Sequence, residues 1–140
     1  MIVVDTTILL YSVGGQHPLQ APCRNLINAV GNGLEATTTV EVIQEFLHVR
    51  SRRRTRRDAS ELAQFFAELM APLLRPEAAD LLHGVTLFEE NPHVGAFDAI
   101  LAATAVRRSA QLASADNAFS SVPGLAHVTP GTPQFEKLLG

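Results

Sequence analysis

The chain has 140 residues, room for one domain with a single core. A 46% hydrophobic and only 6% aromatic composition excludes a charge-dominated disordered chain and suits a helical α/β protein rich in Ala, Leu and Val. The net charge of −3 excludes a uniformly basic surface, yet six of the eleven Lys and Arg crowd into residues 50–57. That segment reads Arg50-Ser51-Arg52-Arg53-Arg54-Thr55-Arg56-Arg57. It is either a solvated helix end or a contact for nucleic acid or an acidic protein face.

The elements follow from hydrophobic period and capping residues. Ile2 to Asp5 is a β-branched strand, and Thr6 to Val13 continues as a short helix. Gly14-Gly15 breaks the chain before His17-Pro18. Leu19 to Val30 is helical, with Cys23, Leu26, Ile27 and Val30 on one face. Leu34 to Thr38 is a short strand. Thr39 is placed to cap a helix over Val40 to about Arg53, and Asp58 to cap the next, which Leu62, Phe65, Phe66 and Leu69 drive inward. Pro72 and Pro76 bracket a break before a helix over Glu77 to Glu90. A further Ala-rich helix covers Phe97 to Ser109. Residues 111–115 and Ala126 to Thr129 are strands. Strands separated by helices predict parallel βαβ units and a three-layer α/β/α domain, residues 1–140, with a short central sheet.

The lone cysteine, Cys23, allows no internal disulfide, fits a reducing cytosol and reads as a small core residue. The first strand carries Asp5 with no basic segment before it, so no signal peptide is expected. The longest apolar runs are too short to span a bilayer.

Four carboxylates stand out. Asp5 and Asp116 each follow a strand, where open parallel sheets bind their ligands. Glu45 shares a helical stripe with Glu41, His48 and Arg52, surrounded by apolar neighbours. Asp98 opens the Ala-rich helix. Each has an ordinary reading alone: Asp98 as a partner of the helix dipole, Asp116 as a turn former, the Glu45 stripe as a solvent face. Brought together, they repel, at roughly 4 kcal/mol per pair about 4 Å apart. The fold must then protonate some of them or bind a cation. Oxygen-only ligands suit Mg²⁺ or Mn²⁺, whose chemistry at such a site is phosphodiester hydrolysis.

Four stretches carry a family resemblance. Ile2-Val3-Val4-Asp5-Thr6-Thr7, Thr38-Thr39-Val40-Glu41-Val42-Ile43-Gln44-Glu45-Phe46 and Ala96-Phe97-Asp98-Ala99-Ile100-Leu101-Ala102-Ala103 come in that order. Leu112-Ala113-Ser114-Ala115-Asp116-Asn117-Ala118-Phe119 and Val122-Pro123-Gly124-Leu125 follow. Together they resemble the motifs of PIN-domain proteins, and the compact size is similar to the VapC-type ribonuclease toxins. Each motif is weak alone; their order over nearly the whole chain is specific. The resemblance implies a cytoplasmic Mg²⁺- or Mn²⁺-dependent endoribonuclease of a toxin–antitoxin pair, hydrolysing RNA with a metal-activated water. It implies catalytic roles for Asp5, Glu45, Asp98 and Asp116, with Asp5, Asp98 and Asp116 as metal ligands. Thr6 and Ser114 match hydroxyl-bearing supporting positions; Glu45 rather than Glu41 matches the acidic one, and Glu41, one turn earlier on the same face, is placed to substitute or assist. It also implies a small protein antitoxin and a homodimer. Arg50, Arg53, Arg54 and Arg57 are the candidate RNA or antitoxin contacts.

The rivals fit less well. A haloacid-dehalogenase-type phosphatase needs a carboxylate two residues after Asp5, where Thr7 stands. A response-regulator receiver needs a Lys late in the sheet, and the only Lys is Lys137. A non-catalytic PIN-like module predicts a depleted acidic set. Gly14-Gly15 and Gly31-Asn32-Gly33 fit no nucleotide-binding glycine motif, and the five His residues show no zinc spacing.

Overall fold

Strand β1 (Ile2–Val4) is the hub of the molecule. It pairs in parallel with β2 (Ala36–Thr37) on one side and β3 (Gln111–Ala113) on the other, and β3 pairs in parallel with β4 (Ala126–Val128). The order β2-β1-β3-β4 was obtained from a computed structural model that describes all 140 residues. Val3 and Val4 are wholly buried, as a strand covered on both faces requires. The chain leaves β1 toward β2 and returns on the opposite side as β3. That reversal opens a crevice beyond the C-terminal ends of β1 and β3.

The helices are α1 (Thr6–Val13), α2 (Gln20–Gly31), α3 (Val40–Ser51), α4 (Arg56–Leu69), α5 (Ala78–Glu90), α6 (Ala96–Arg107) and α7 (Pro133–Leu138). They complete the expected α/β/α architecture. No helix is long and apolar enough to cross a membrane. Phe46, Phe66, Phe119 and Phe135 are fully buried, and Phe46 meets Phe66 edge-on at 5.1 Å, locking α3 to α4. Cys23 is buried, and burial pushes its thiol up to about 12, an inert core residue as expected. The longer strand expected over 34–38 pairs only at Ala36 and Thr37. Thr38 instead turns its hydroxyl onto the Val4 carbonyl at 2.6 Å.

Two expectations change in α4. The helix is capped by Thr55, whose hydroxyl accepts from the Asp58 amide at 3.1 Å, and not by Asp58. Asp58 is taken up by Arg50, whose Nε donates to it at 2.7 Å. Phe65, expected inward, is half exposed, because Ala59, Ala63 and Phe66 make the buried face. A short helix, α7, follows the last strand where none was expected; Thr132 caps it, Pro133 begins it and Phe135 buries it.

Candidate active site

The crevice beyond β1 and β3 is built from side chains that orient one another. Asp5 follows β1 and is 3% exposed. Its Oδ2 accepts from the Ser114 hydroxyl at 2.6 Å and the Thr7 hydroxyl at 2.8 Å, with a longer bond from the Thr7 amide at 3.4 Å. Oδ1 takes no hydrogen bond from the chain. No buried side-chain polar atom lacks a partner, so Oδ1 opens to the crevice. Ser114 also accepts from the Asp116 amide at 3.0 Å, and Thr7 accepts from the Ala115 amide at 2.9 Å. The exits of β1 and β3 are thereby stitched together around one carboxylate.

The other carboxylates arrive from separate elements. Thr39 caps α3 by accepting from the Val42 amide at 3.2 Å, which fixes where α3 starts. Glu45 lies a turn and a half further on, and Thr6 donates its hydroxyl to it at 3.1 Å. Most of Glu45 is exposed, but its carboxyl end is desolvated against Thr6. Burial raises its pKa, the Thr6 bond opposes that, and the charge of Asp5 adds to it. Asp98 sits in the first turn of α6. Burial first, then the charges of Asp5, Glu45 and Asp116, push its carboxyl up to about 7. Asp116 ends the segment after β3 and caps the short 3₁₀ turn at 117–121, its Oδ1 accepting from the Ala118 amide at 2.9 Å. The turn-forming role foreseen for Asp116 is therefore real, and Oδ2 takes no hydrogen bond from the chain.

The structure thus brings Asp5, Glu45, Asp98 and Asp116 into one electrostatic field, with Thr6 and Ser114 in contact with them. Glu41 lies one turn before Glu45 and touches none of the four. No three of the chain's His, Cys, Asp and Glu side chains are close enough together to hold a metal ion as they stand. A groove of about 840 Å³ leads away from the site between α3, α5 and α6, lined by Glu41, Glu45, His48, Leu81, Phe97 and Asp98 among others. Phe97 is 82% exposed at its edge.

The arginine run is not uniform. Arg50 also donates to the Val13 carbonyl at 3.1 Å, so with Asp58 it straps α3 to α1 and α4. Only 11% of its side chain is exposed, so it is not the free surface contact anticipated. Arg57 pairs with Glu61 at 3.1 Å in the open, an i,i+4 pair of small energetic weight. Arg53 and Arg54 stay exposed at the surface with no acidic partner.

Sequence reasoning passed over Thr7, which entered only as the residue that is not a carboxylate. A hydroxyl two residues after a strand-end Asp was the signal available, because a Thr there can bond back to the carboxylate. It also missed His127, whose Nε2 donates to the Ser114 carbonyl at 2.9 Å and steadies the same segment.

Comparison with known proteins places the fold in a family. The PIN domain profile matches residues 2–125. Ribonuclease VapC7 of Mycobacterium tuberculosis (strain ATCC 25618 / H37Rv) is 46% identical over 143 aligned positions, covering 100% of this chain and 99% of that protein. Ribonuclease VapC23 of the same strain is 34% identical, covering 77% of this chain and 86% of its own. Among solved structures, VapBC2 from Rickettsia felis, bound to a DNA fragment from its promoter, superposes with a TM-score of 0.74 at 16% identity, covering 92% of this chain and 98% of that one. A toxin–antitoxin complex from Klebsiella pneumoniae gives 0.68 at 18% identity, covering 93% and 98%. The second pair of likenesses establishes the fold; the first pair and the profile match establish descent. The chain belongs to the PIN-domain family, within its VapC branch.

Proposed function

We propose that the chain is a divalent-cation-dependent endoribonuclease and the toxin of a toxin–antitoxin pair, with Asp5, Glu45, Asp98 and Asp116 as its catalytic carboxylates. The observation that carries this reading is the convergence of four carboxylates, from the ends of β1 and β3 and from α3 and α6, where burial and like charge push Asp98 up to about 7. A fold that assembles so much like charge gains by binding a cation there. The donor set fits a hard one: it is all oxygen, and Mg²⁺ or Mn²⁺ needs only one or two carboxylates, with waters completing its shell. A ready-made cage is therefore not required. Asp5, Asp98 and Asp116 would hold the ion, with Glu45 beside them on Thr6. When bound, such an ion neutralises charge on the scissile phosphoryl group and acidifies water.

The chain's own residues do the rest. Ser114 and Thr7 hold one oxygen of Asp5 and leave the other facing the crevice. Thr6 keeps Glu45 pointed inward, where burial and the charge of Asp5 raise its pKa and suit it to exchange a proton with water. Half-buried Asp98, its pKa raised by burial and by its acidic neighbours, would hold the cation as a carboxylate. The reading places the protein in the cytoplasm, with a small protein antitoxin as partner. The toxin–antitoxin complex among the structural neighbours and the acidic groove beside Glu41, Glu45 and Asp98 support that partner, since the groove suits a basic peptide. A homodimer belongs to the same proposal: Leu82, Val85 and Phe88, 50–69% exposed, form an apolar stripe along α5. Sedimentation measures it directly.

The test is Asp98→Asn. It is expected to leave a folded protein that no longer cleaves cellular RNA, read by mapping RNA ends after expression. Full activity in that variant, or in Asp5→Asn, removes the assignment.

A further inference from the structure

A second cavity, of about 390 Å³ and lined by Thr7, shares no residue with the acidic groove. Its size lies within the roughly 300–1,000 Å³ typical of small-ligand pockets. Its walls are Thr7, Tyr11, Gln16, His17 and Arg53, with the Gly14-Gly15 backbone as floor. Three features set it apart from the acidic groove. No Asp or Glu lines it. The Tyr11 and His17 rings lie 4.6 Å apart at 33°, a continuous aromatic wall. Arg53 overhangs it with no acidic partner of its own, while its neighbour Arg50 is consumed by Asp58.

The pocket is built rather than accidental. The Gln20 side chain donates to the Gly14 carbonyl at 2.8 Å, and the Arg50 strap on Val13 fixes the same corner from α3. A Cβ on Gly14 would stand 2.9 Å from the Leu10 carbonyl oxygen, so the turn is made close by a glycine. His17 Nδ1 accepts from the Leu19 amide at 3.0 Å, which leaves its Nε2–H as the outward donor. Gln16 offers an amide with no partner in the chain. Thr7, which lines the pocket, is bonded to Asp5.

We propose that this pocket binds one nucleotide of the RNA, the unit adjoining the scissile phosphate, with its base on the Tyr11–His17 wall and its phosphate on Arg53. The inference rests on the ribonuclease reading above and adds where the strand is held and read. An aromatic wall with a free guanidinium is the usual platform for unpaired bases. The missing carboxylates set the pocket against a basic peptide, which the acidic groove accommodates instead. Gln16 and the His17 Nε2–H are the groups that would tell one base edge from another.

The experiment is cleavage of a mixed-sequence single-stranded oligoribonucleotide by the full chain, with the ends mapped and KM and kcat separated. Arg53→Gln should raise KM about fivefold or more, leave kcat within about twofold, and lower the slope of log KM against log salt by about 0.7. His17→Asn keeps an acceptor for the Leu19 amide but removes the ring. It should raise KM by about fivefold and flatten base preference at one position beside the cut. Tyr11→Leu should act the same way; if that half-buried change impairs folding, the exposed His17 position still decides. If the unaltered chain cuts RNA and both Arg53→Gln and His17→Asn keep its KM and base preference, the subsite is wrong and the ribonuclease reading stands. Variants that cut normally but resist inhibition by a basic peptide would assign the pocket to a protein and overturn the proposal. A chain that cuts no RNA with Mg²⁺ or Mn²⁺ removes both readings together.

Discussion

Ser114 shows how much of the site depends on groups that carry no charge. Its hydroxyl donates to Asp5 and accepts from the Asp116 amide, and its carbonyl accepts from His127. It thus links two carboxylates whose positions differ by over a hundred residues. Ser114→Ala removes the hydroxyl's contacts with Asp5, the Asp116 amide and the Thr7 hydroxyl, and leaves the Asp116 amide unpaired. We expect a stability loss of about 1–3 kcal/mol in denaturant melts. We expect a larger effect on turnover, about 10- to 100-fold, because residues that orient ligating carboxylates commonly matter that much. A variant as active as the parent would make Ser114 structural only. Family motifs marked Ser114 and Thr6 as supporting positions. Thr7 was harder to see, since a hydroxyl bonding across 108 residues to the Ala115 amide leaves no periodic trace. Arg50 was misread for a related reason: a run of arginines looks uniform until one of them meets Asp58.

The pairing of α5 with α6 is held by a buried ion cluster. Asp80 is 1% exposed and takes bonds from Arg107 at 2.9 Å and from Arg108 at 3.0 and 3.1 Å. It also accepts from the Glu77 amide at 2.7 Å, half of a capping box at the start of α5. Burial alone would raise its pKa; the two guanidinium groups and the Glu77 amide outweigh that and hold it below the usual carboxylate range. A depressed pKa contributes stability above the unfolded value, lost as pH falls through the folded one. Beside the cluster, a Cβ on Gly84 would stand 2.9 Å from the Ile100 Cα, so α5 touches the backbone of α6 only because Gly84 has no side chain. Asp80→Ala should cost about 3 kcal/mol in urea unfolding, near the lower end for a broken buried pair, because Arg107 can turn to water. A loss under about 1 kcal/mol would mean the cluster sets specificity and not stability. Both helices were legible from their hydrophobic period. Their pairing was not, since it rests on one buried Asp and one Gly in α5. The displaced cap of α4 has the same origin: Thr55 and Asp58 are both good cap residues, and Arg50, from another helix, decided between them.

The order of strands and helices, and the crevice they leave, could be foreseen because βαβ connections allow few arrangements. What periodicity could not supply was the depth at which each carboxylate lies, and depth decides the electrostatics. Asp5, Glu45, Asp98 and Asp116 meet only when β1, β3, α3 and α6 are all in place, so a cation held among them binds the folded chain and not the unfolded one. Folding stability should therefore respond jointly to pH and to the ion. In the folded chain the Asp98 carboxyl is pushed up to about 7 from its ordinary 3.8. Between those values the folded chain holds more protons than the unfolded one, so stability without metal falls as pH rises from about 4 to 7 and then levels off. A cation competes with that proton. Its stabilising effect should be small at pH 6 and full at pH 8, reaching about 2.7 kcal/mol at a hundredfold excess over its dissociation constant. Thermal melts with Mn²⁺, Mg²⁺ or chelator across that range measure it. Asp98→Asn should flatten the metal-free pH profile, melt higher than the parent at pH 8 without metal, and lose most of the response to the ion. A melting temperature at pH 8 indifferent to both ions would mean that the four carboxylates are accommodated by protonation alone, and the cation would have to be withdrawn from the mechanism.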